Sequence, residues 1–139
     1  MNSQQHHNAP TGAFIAASWV ALLLGMGAYL LGLWNGAMQL NERGYYLVVM
    51  LYGLYSAISI QKSVRDRQEG IPVTAMYYGL SWFSVLTSVS LLGIGLYNAS
   101  LQSSEKGFYA MAFTLALFGA IAVQKNTRDL NAARALRSE

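Results

Sequence analysis

Gly32-Leu-Trp-Asn35, Gln39, Glu42-Arg43-Gly44-Tyr45-Tyr46 and Gln61-Lys62-x-x-Arg65-Asp66 are the residues that decide the fold, because they occur twice. The second set reads Gly95-Leu-Tyr-Asn98, Gln102, Glu105-Lys106-Gly107-Phe108-Tyr109 and Gln124-Lys125-x-x-Arg128-Asp129. Every landmark is displaced by 63 positions with no gap, and 17 of the 49 positions from Ser18–Asp66 to Ser81–Asp129 are identical. Such agreement, extending to Ser18/Ser81, Trp19/Trp82 and Ala57/Ala120, marks an internal duplication.

Between the polar landmarks the chain is apolar. Only 11% of residues are charged, against roughly 25% in a typical soluble domain. Four blocks stand out, at about Phe14–Trp34, Tyr45–Ile60, Ala75–Tyr97 and Phe108–Val123. The first, as a helix of about 1.5 Å rise per residue, reaches about 31 Å, the thickness of a bilayer's hydrocarbon core. The second is shorter, and reaches across if its helix continues through Arg65 with Lys62 and Arg65 snorkelling to the headgroups. None of the blocks carries the polar stripe of a soluble bundle helix. The expected fold is therefore all-α: an integral membrane protein of four helices, made of two tandem, parallel-repeat transmembrane hairpins. The organisation expected is a disordered cytoplasmic tail at 1–10, hairpins at 11–69 and 74–132, and a cytoplasmic tail at 133–139. Thr11 and Thr74 are the expected caps of the first and third helices, and Asn41 and Ser104 of the second and fourth.

Orientation follows from the basic residues. Arg43 and Lys106 lie in the two short connections, whereas the segment Lys62–Val73 and the C-terminal tail hold the other seven Lys and Arg. The positive-inside rule then puts both termini in the cytoplasm of a bacterial inner membrane. Trp34, Tyr45, Tyr46, Tyr97, Phe108 and Tyr109 form the expected aromatic belt outside, with Phe14, Tyr77 and Tyr78, beside the methionine Met76, near the inner boundary. The net charge of +3 falls at block ends, which suits anionic headgroups at the cytoplasmic rim and argues against a nucleic-acid partner.

Two copies in the same sense imply a pseudo-two-fold axis along the membrane normal. Small residues line one face of the first helix (Ser18, Ala21, Gly25, Gly32, Gly36) and of the third (Ser81, Ser84, Ser88, Gly95, Ala99). Close backbone approach drives helix pairing in lipid, so the first and third helices are expected to pack on each other. A shorter small patch marks the second and fourth helices, at Gly53, Ser56, Ala57 and Ala116, Gly119, Ala120.

Two polar rims carry what chemistry there is. At the cytoplasmic rim stand Gln61, Lys62, Arg65, Asp66 and their copies Gln124, Lys125, Arg128, Asp129. An Asp at a helix C-terminus opposes the helix dipole and needs a cation. Asp66 has two candidates: Lys62 one turn back, or Arg128 of the other hairpin, with Asp129 and Arg65 as the reciprocal pair. At the outer rim stand Asn35, Gln39, Glu42, Asn98, Gln102 and Glu105. These are expected to cap helices and fix the turns, the alternative being a site for a cation or a polar headgroup.

No Asp, Glu, Lys, Arg or His lies in the middle of any block, which weighs against a proton- or ion-coupled carrier. The chain has no Cys, and its two His, His6 and His7, lie in the N-terminal tail. Thiol and bis-His haem chemistry are thereby excluded, and no zinc, Ser/His/Asp or phosphate-loop pattern is present. The expectation is no catalytic residue, no metal and no cofactor.

The motifs Gly32-Leu-Trp-Asn35, Met38-Gln-Leu-Asn-Glu42, Gly44-Tyr-Tyr46, Val64-Arg-Asp66, Glu69-Gly-Ile-Pro72, Ser104-Glu-Lys-Gly-Phe-Tyr109, Val123-Gln-Lys-Asn126 and Arg128-Asp129 resemble the YiaA/YiaB family of bacterial inner-membrane proteins. The resemblance runs from about Thr11 to Asp129. It implies a two-helix domain, here present twice, and brings no established activity and no catalytic residues. The sequence thus points to a non-enzymatic protein acting by association, as a homo-oligomer or with another membrane protein. The alternative is a small oligomeric channel or uncoupled carrier, with Asn35/Asn98 and Gln61/Gln124 at its mouths.

Overall fold

A computed structural model describes residues 9–138. The tail with His6 and His7, expected to be disordered, lies outside the described residues, as does Glu139. Four helices account for the fold: α1 (Gly12–Asn35), α2 (Leu40–Gln68), α3 (Ala75–Asn98) and α4 (Ser103–Arg137). All four are long and apolar enough to cross a membrane. No strand occurs among the described residues.

Local chemistry sets most of the ends. The Thr11 hydroxyl accepts from the Phe14 amide and the Thr74 hydroxyl from the Tyr77 amide, each at 3.1 Å, as expected. Gly70, at φ +77°, stops α2. In this left-handed conformation, which glycine tolerates, the Ile71 amide reaches back to the Asp66 carbonyl at 2.8 Å and the Gly70 amide to the Arg67 carbonyl at 3.2 Å. Arg67 then lies 4.3 Å from the Tyr78 ring centroid, tying the end of α2 to the start of α3. The other two caps differ from expectation. The residues before α2 and α4 are Gln39 and Gln102, and neither side chain caps its helix. Asn41 and Ser104 fall inside the first turn instead. The α4 helix continues unbroken through the polar C-terminal stretch to Arg137.

The hairpins run in the same sense. The N-terminal ends of α2 and α4 meet at Tyr46 and Tyr109, whose rings stack at 6.2 Å and 13°. Their C-terminal ends meet at Arg65–Asp129 and Arg128–Asp66. The helix partners, however, are not those expected. α1 lies along α4, α3 lies along α2, and α2 and α4 form the central pair. α1 and α3 barely meet, and the two helices within each hairpin touch only sparingly. Each hairpin is thus held by the other.

Small residues explain the pairing. A Cβ on Gly25 would sit 2.5 Å from the Ala116 nitrogen and 2.8 Å from the Ala112 oxygen, both backbone atoms of α4. A Cβ on Gly119 would meet the Leu22 backbone of α1, its Cα at 2.6 Å. The small face of α1 therefore seats on the small face of α4. The same register repeats by pseudo-symmetry at the aromatic end: Gly32 accommodates the Phe108 and Tyr109 rings, and its counterpart Gly95 accommodates Tyr45, the counterpart of Phe108.

The interior is small and partly polar; the outside is large and apolar. Trp34 and Tyr97 are 79% and 86% exposed, as belt residues should be. Tyr46 and Tyr109 depart from the belt expectation, being buried against Tyr29 and Met50 in the core. Ser18, Ser56, Ser63, Ser81 and Ser88 are also buried. Each hydroxyl donates to a carbonyl three or four residues back in its own helix, at 2.8–3.0 Å, so none of these five donors is stranded.

Replacing Gly25 with Ala forces backbone apart and should destabilise the protein by about 1–3 kcal/mol. Gly27→Ala, where no atom lies within 4 Å of the added Cβ, should leave stability unchanged or raise it by up to about 1 kcal/mol. Unfolding in mixed detergent micelles, read by Trp fluorescence, checks both.

Candidate functional site

The first candidate site is the charged rim just beyond Ile60 and Val123, where the apolar spans end. Helical spacing puts Lys62, Arg65, Asp66 and Glu69 on neighbouring turns of α2, and Lys125, Arg128 and Asp129 on α4. Because α2 and α4 run parallel in matched register, the two sets face each other across the pseudo-two-fold axis.

Both pairing schemes for the aspartates are present together. Lys62 donates to Asp66 Oδ2 at 2.7 Å and Lys125 to Asp129 Oδ2 at 2.8 Å, each within its own helix. The other oxygens take the arginines across the axis: Arg128 donates to Asp66 Oδ1 and Arg65 to Asp129 Oδ1. Glu69 closes the network, accepting from Arg65 Nε at 2.6 Å and from Arg128 at 3.0 Å. Its counterpart is Ala132, so this last bridge exists on one side only. The aspartate side chains are 6–7% exposed, the lysines 50–54%.

Charge fixes the titration of the acids. The Lys62 hydrogen bond, aided by Arg128 and opposed by burial, holds the Asp66 carboxyl below the usual carboxylate range. At Asp129 burial pushes upward, but Lys125 and Arg65 together outweigh it and leave the carboxyl lowered. Glu69 is lowered by Arg65 and then by Arg128.

Beneath the charges lies a buried polar layer that the repeat contains but its spacing did not single out. Asn126 donates to Ser18 Oγ at 3.0 Å, joining α4 to α1. Its counterpart Ser63 lies against Ser81 where α2 packs on α3, the two hydroxyl oxygens 3.4 Å apart. The signal was available: Ser63 and Asn126 are the first unmatched positions inside Gln-Lys-x-x-Arg-Asp, one turn before each aspartate. Gln61 and Gln124 are half-buried and make no side-chain hydrogen bond among the described residues. Tyr29 was also missed. It is fully buried, and its hydroxyl donates to the Tyr46 carbonyl at 2.7 Å, the direct polar tie between α1 and α2.

The opposite rim is not one cluster. Asn35, Gln39, Glu42, Gln102 and Glu105 are exposed, and none makes a side-chain hydrogen bond among the described residues. Asn98 folds back on the Ile94 carbonyl of its own helix at 2.9 Å. Arg43 donates to the Gly36 carbonyl at 2.9 Å. Glu42 and Asn98, from different hairpins, share a recess of about 460 Å³ with Asn41, Tyr45, Tyr46 and Ser100. Among the described residues no group of three or more His, Cys, Asp or Glu is placed to hold a metal ion.

The charged rim therefore has the chemistry of a clamp. Asp66→Ala and Arg128→Ala should show a coupling of about 1–3 kcal/mol in a double-mutant cycle. Because the three acids have lowered values in the folded state, the stability they contribute is present above their unfolded values, about 4, and is lost as pH falls through the folded ones. The unfolding midpoint should be flat from pH 7 to about 5 and drop below about 4. Asp66→Asn with Asp129→Asn should flatten that drop.

Comparison with known proteins agrees with this architecture. Residues 14–66 and 77–129 each match the yiaA/B two helix domain. The chain is 59% identical over 117 residues to the inner membrane protein YiaA of Escherichia coli (strain K12), spanning 84% of this chain and 81% of that one. It is 30% identical over 100 residues to the inner membrane protein YiaB of the same organism, spanning 70% and 85%. A 57-residue stretch is 44% identical to the uncharacterized membrane protein YubF of Bacillus subtilis (strain 168), covering 40% of this chain and 66% of that one. No solved structure matches the chain. With the domain matched twice, on the same two hairpins that clasp one another across the Arg–Asp rim, this chain is a membrane protein of the YiaA/YiaB family.

Proposed function

We propose that the protein acts by association within the bacterial inner membrane, as a homo-oligomer or as an accessory to another membrane complex, and not as an enzyme. The observation that carries this reading is the use of the repeated charges. Lys62, Arg65, Asp66, Lys125, Arg128 and Asp129 are all engaged with one another, which fits a structural clamp better than a site held ready for a substrate. The large outward side chains of α1 and α3, such as Leu23, Leu31, Phe83 and Leu86, offer the surface for lipid or a neighbouring helix.

The charged rim faces the cytoplasm in this reading, with both termini on that side, because seven of nine basic residues lie there. Lys62 and Lys125 keep about half of their side-chain surface exposed and would meet anionic headgroups there. A channel or uncoupled carrier would need several copies. The space between α2 and α4 within one copy is filled by Tyr46, Tyr109, Met50 and Phe113.

Two measurements test the proposal. The chain lacks cysteine, so single substitutions report cleanly on sidedness. Ser100→Cys should react with an impermeant thiol reagent in intact cells, and Ser138→Cys only after the membrane is opened. Native mass spectrometry from lipid nanodiscs, after extraction from native membranes, should give a multimer or a stoichiometric complex with a second membrane protein. A lone monomer without partner counts against association. Cation or solute flux in liposomes would favour the channel.

A further inference from the structure

The two hairpin connections do not match each other in one respect that points to a ligand. In the first copy, α1 ends at Asn35 and its last carbonyls form the negative end of a helix dipole. The protein places its own cation there: Arg43 donates from Nη2 to the Gly36 carbonyl, and the Tyr109 hydroxyl lies near Gly36. By the repeat of 63, the corresponding place in the second copy lies at Ala99, with Tyr46 in the role of Tyr109 and Lys106 in that of Arg43. Lys106 does not reach it; its ammonium makes no hydrogen bond or ion pair among the described residues.

What stands there instead is the recess of about 460 Å³ lined by Glu42, Tyr45, Tyr46, Asn98, Ala99 and Ser100. Three kinds of group in it suit a cation. The last turn of α3 presents carbonyls at the negative end of its dipole, with no basic residue in that turn. The Glu42 carboxylate, contributed by the other hairpin, has no ion-pair partner among the described residues. Tyr45, half-buried, lines the recess and is backed edge to face by the buried Tyr46 at 5.3 Å and 88°, and an aromatic ring so placed attracts a positive group. Asn41, Asn98 and Ser100 supply amides and a hydroxyl for whatever polar group is attached to it.

We propose that this recess binds an organic ammonium group, filling in the second copy the place that the Arg43 guanidinium fills in the first. Two sources share that chemistry: the ethanolamine headgroup of a membrane phospholipid, and a free primary amine from the aqueous side. The recess lies level with Trp34 and Tyr97, the exposed aromatics at the hairpin ends, where lipid headgroups are found.

The test uses the full chain in nanodiscs of mixed phosphatidylethanolamine and phosphatidylglycerol, with bound lipids counted by native mass spectrometry. Wild-type protein should retain the ethanolamine lipid over the glycerol lipid by about five-fold, the size expected of one carboxylate with one aromatic ring. Glu42→Gln should bring the ratio to near parity. Glu105→Gln, at the counterpart position in the copy where Arg43 caps Gly36, should leave it unchanged. Lys106→Arg should lower the ratio without removing any acid, by letting the protein cap Ala99 as it caps Gly36. Each variant's unfolding midpoint shows whether it is folded. Free ethanolamine is the second probe, followed by the NMR shifts of Tyr45 and Asn98. Binding of the free amine, lost in Glu42→Gln, with no lipid preference supports the aqueous source; a lipid preference without free-amine binding supports the headgroup. Absence of both, or a preference that survives in folded Glu42→Gln, overturns the proposal.

Discussion

Lipid tails are as apolar as the helices they surround, so no helix in this protein gains by leaving lipid for another helix unless the two backbones come close. That constraint decides the structure. Gly25 against the Ala112 and Ala116 backbone, and Gly119 against Leu22, bring α1 and α4 near enough for dispersion to act along their length. The aromatic core, the reciprocal ion pairs and the Ser–Asn layer are all additions to that approach. Each depends on the register it sets.

The interior is polar for the same reason. In water a serine on a helix's buried face sacrifices apolar area. In lipid it costs little, because its hydroxyl returns to its own helix, as Ser18 does to Phe14 and Ser81 to Tyr77. What it contributes is narrowness. The aspartates beyond the spans follow the opposite logic. A nearly buried carboxylate needs more than one cation, and each receives one from its own helix and one from across the axis. Local and long-range pairing are two halves of one coordination, since a carboxylate has two oxygens.

Much of this was legible in the residues. The repeat of 63 gave two copies in one sense; the apolar blocks gave four spans; Thr11 and Thr74 gave two helix starts. The partner of α1 was not legible. Ser18, Gly25 and Gly32 mark which face of α1 is close-packed, but a small face does not say whose small face meets it. Pseudo-symmetry relates α1 to α3, and relatives by symmetry need not touch. The patch that receives α1 is Ala112, Ala116 and Gly119, which the sequence also displays, in a helix from the other repeat. Tyr46 and Tyr109 were ambiguous for a related reason. Aromatics at a span's end serve either the interface or the axis, and only the pairing of α2 with α4 chooses the axis. The recess was hidden likewise, since Arg43 and Lys106 look equivalent until Arg43 is seen on Gly36 and Lys106 without a hydrogen bond or ion pair among the described residues.

The clasp of each hairpin by the other also sets an order of events during synthesis. The first hairpin leaves the translocon with α1 and α2 scarcely in contact, and its true partners are not yet made. At about 5–20 residues per second, the 63 residues separating the copies take several seconds to appear. Through that interval Gly25 faces only lipid, and Asp66 has only Lys62. α3 can settle on α2 once it is made, but α1 waits for α4, which closes on α1 and α2 together.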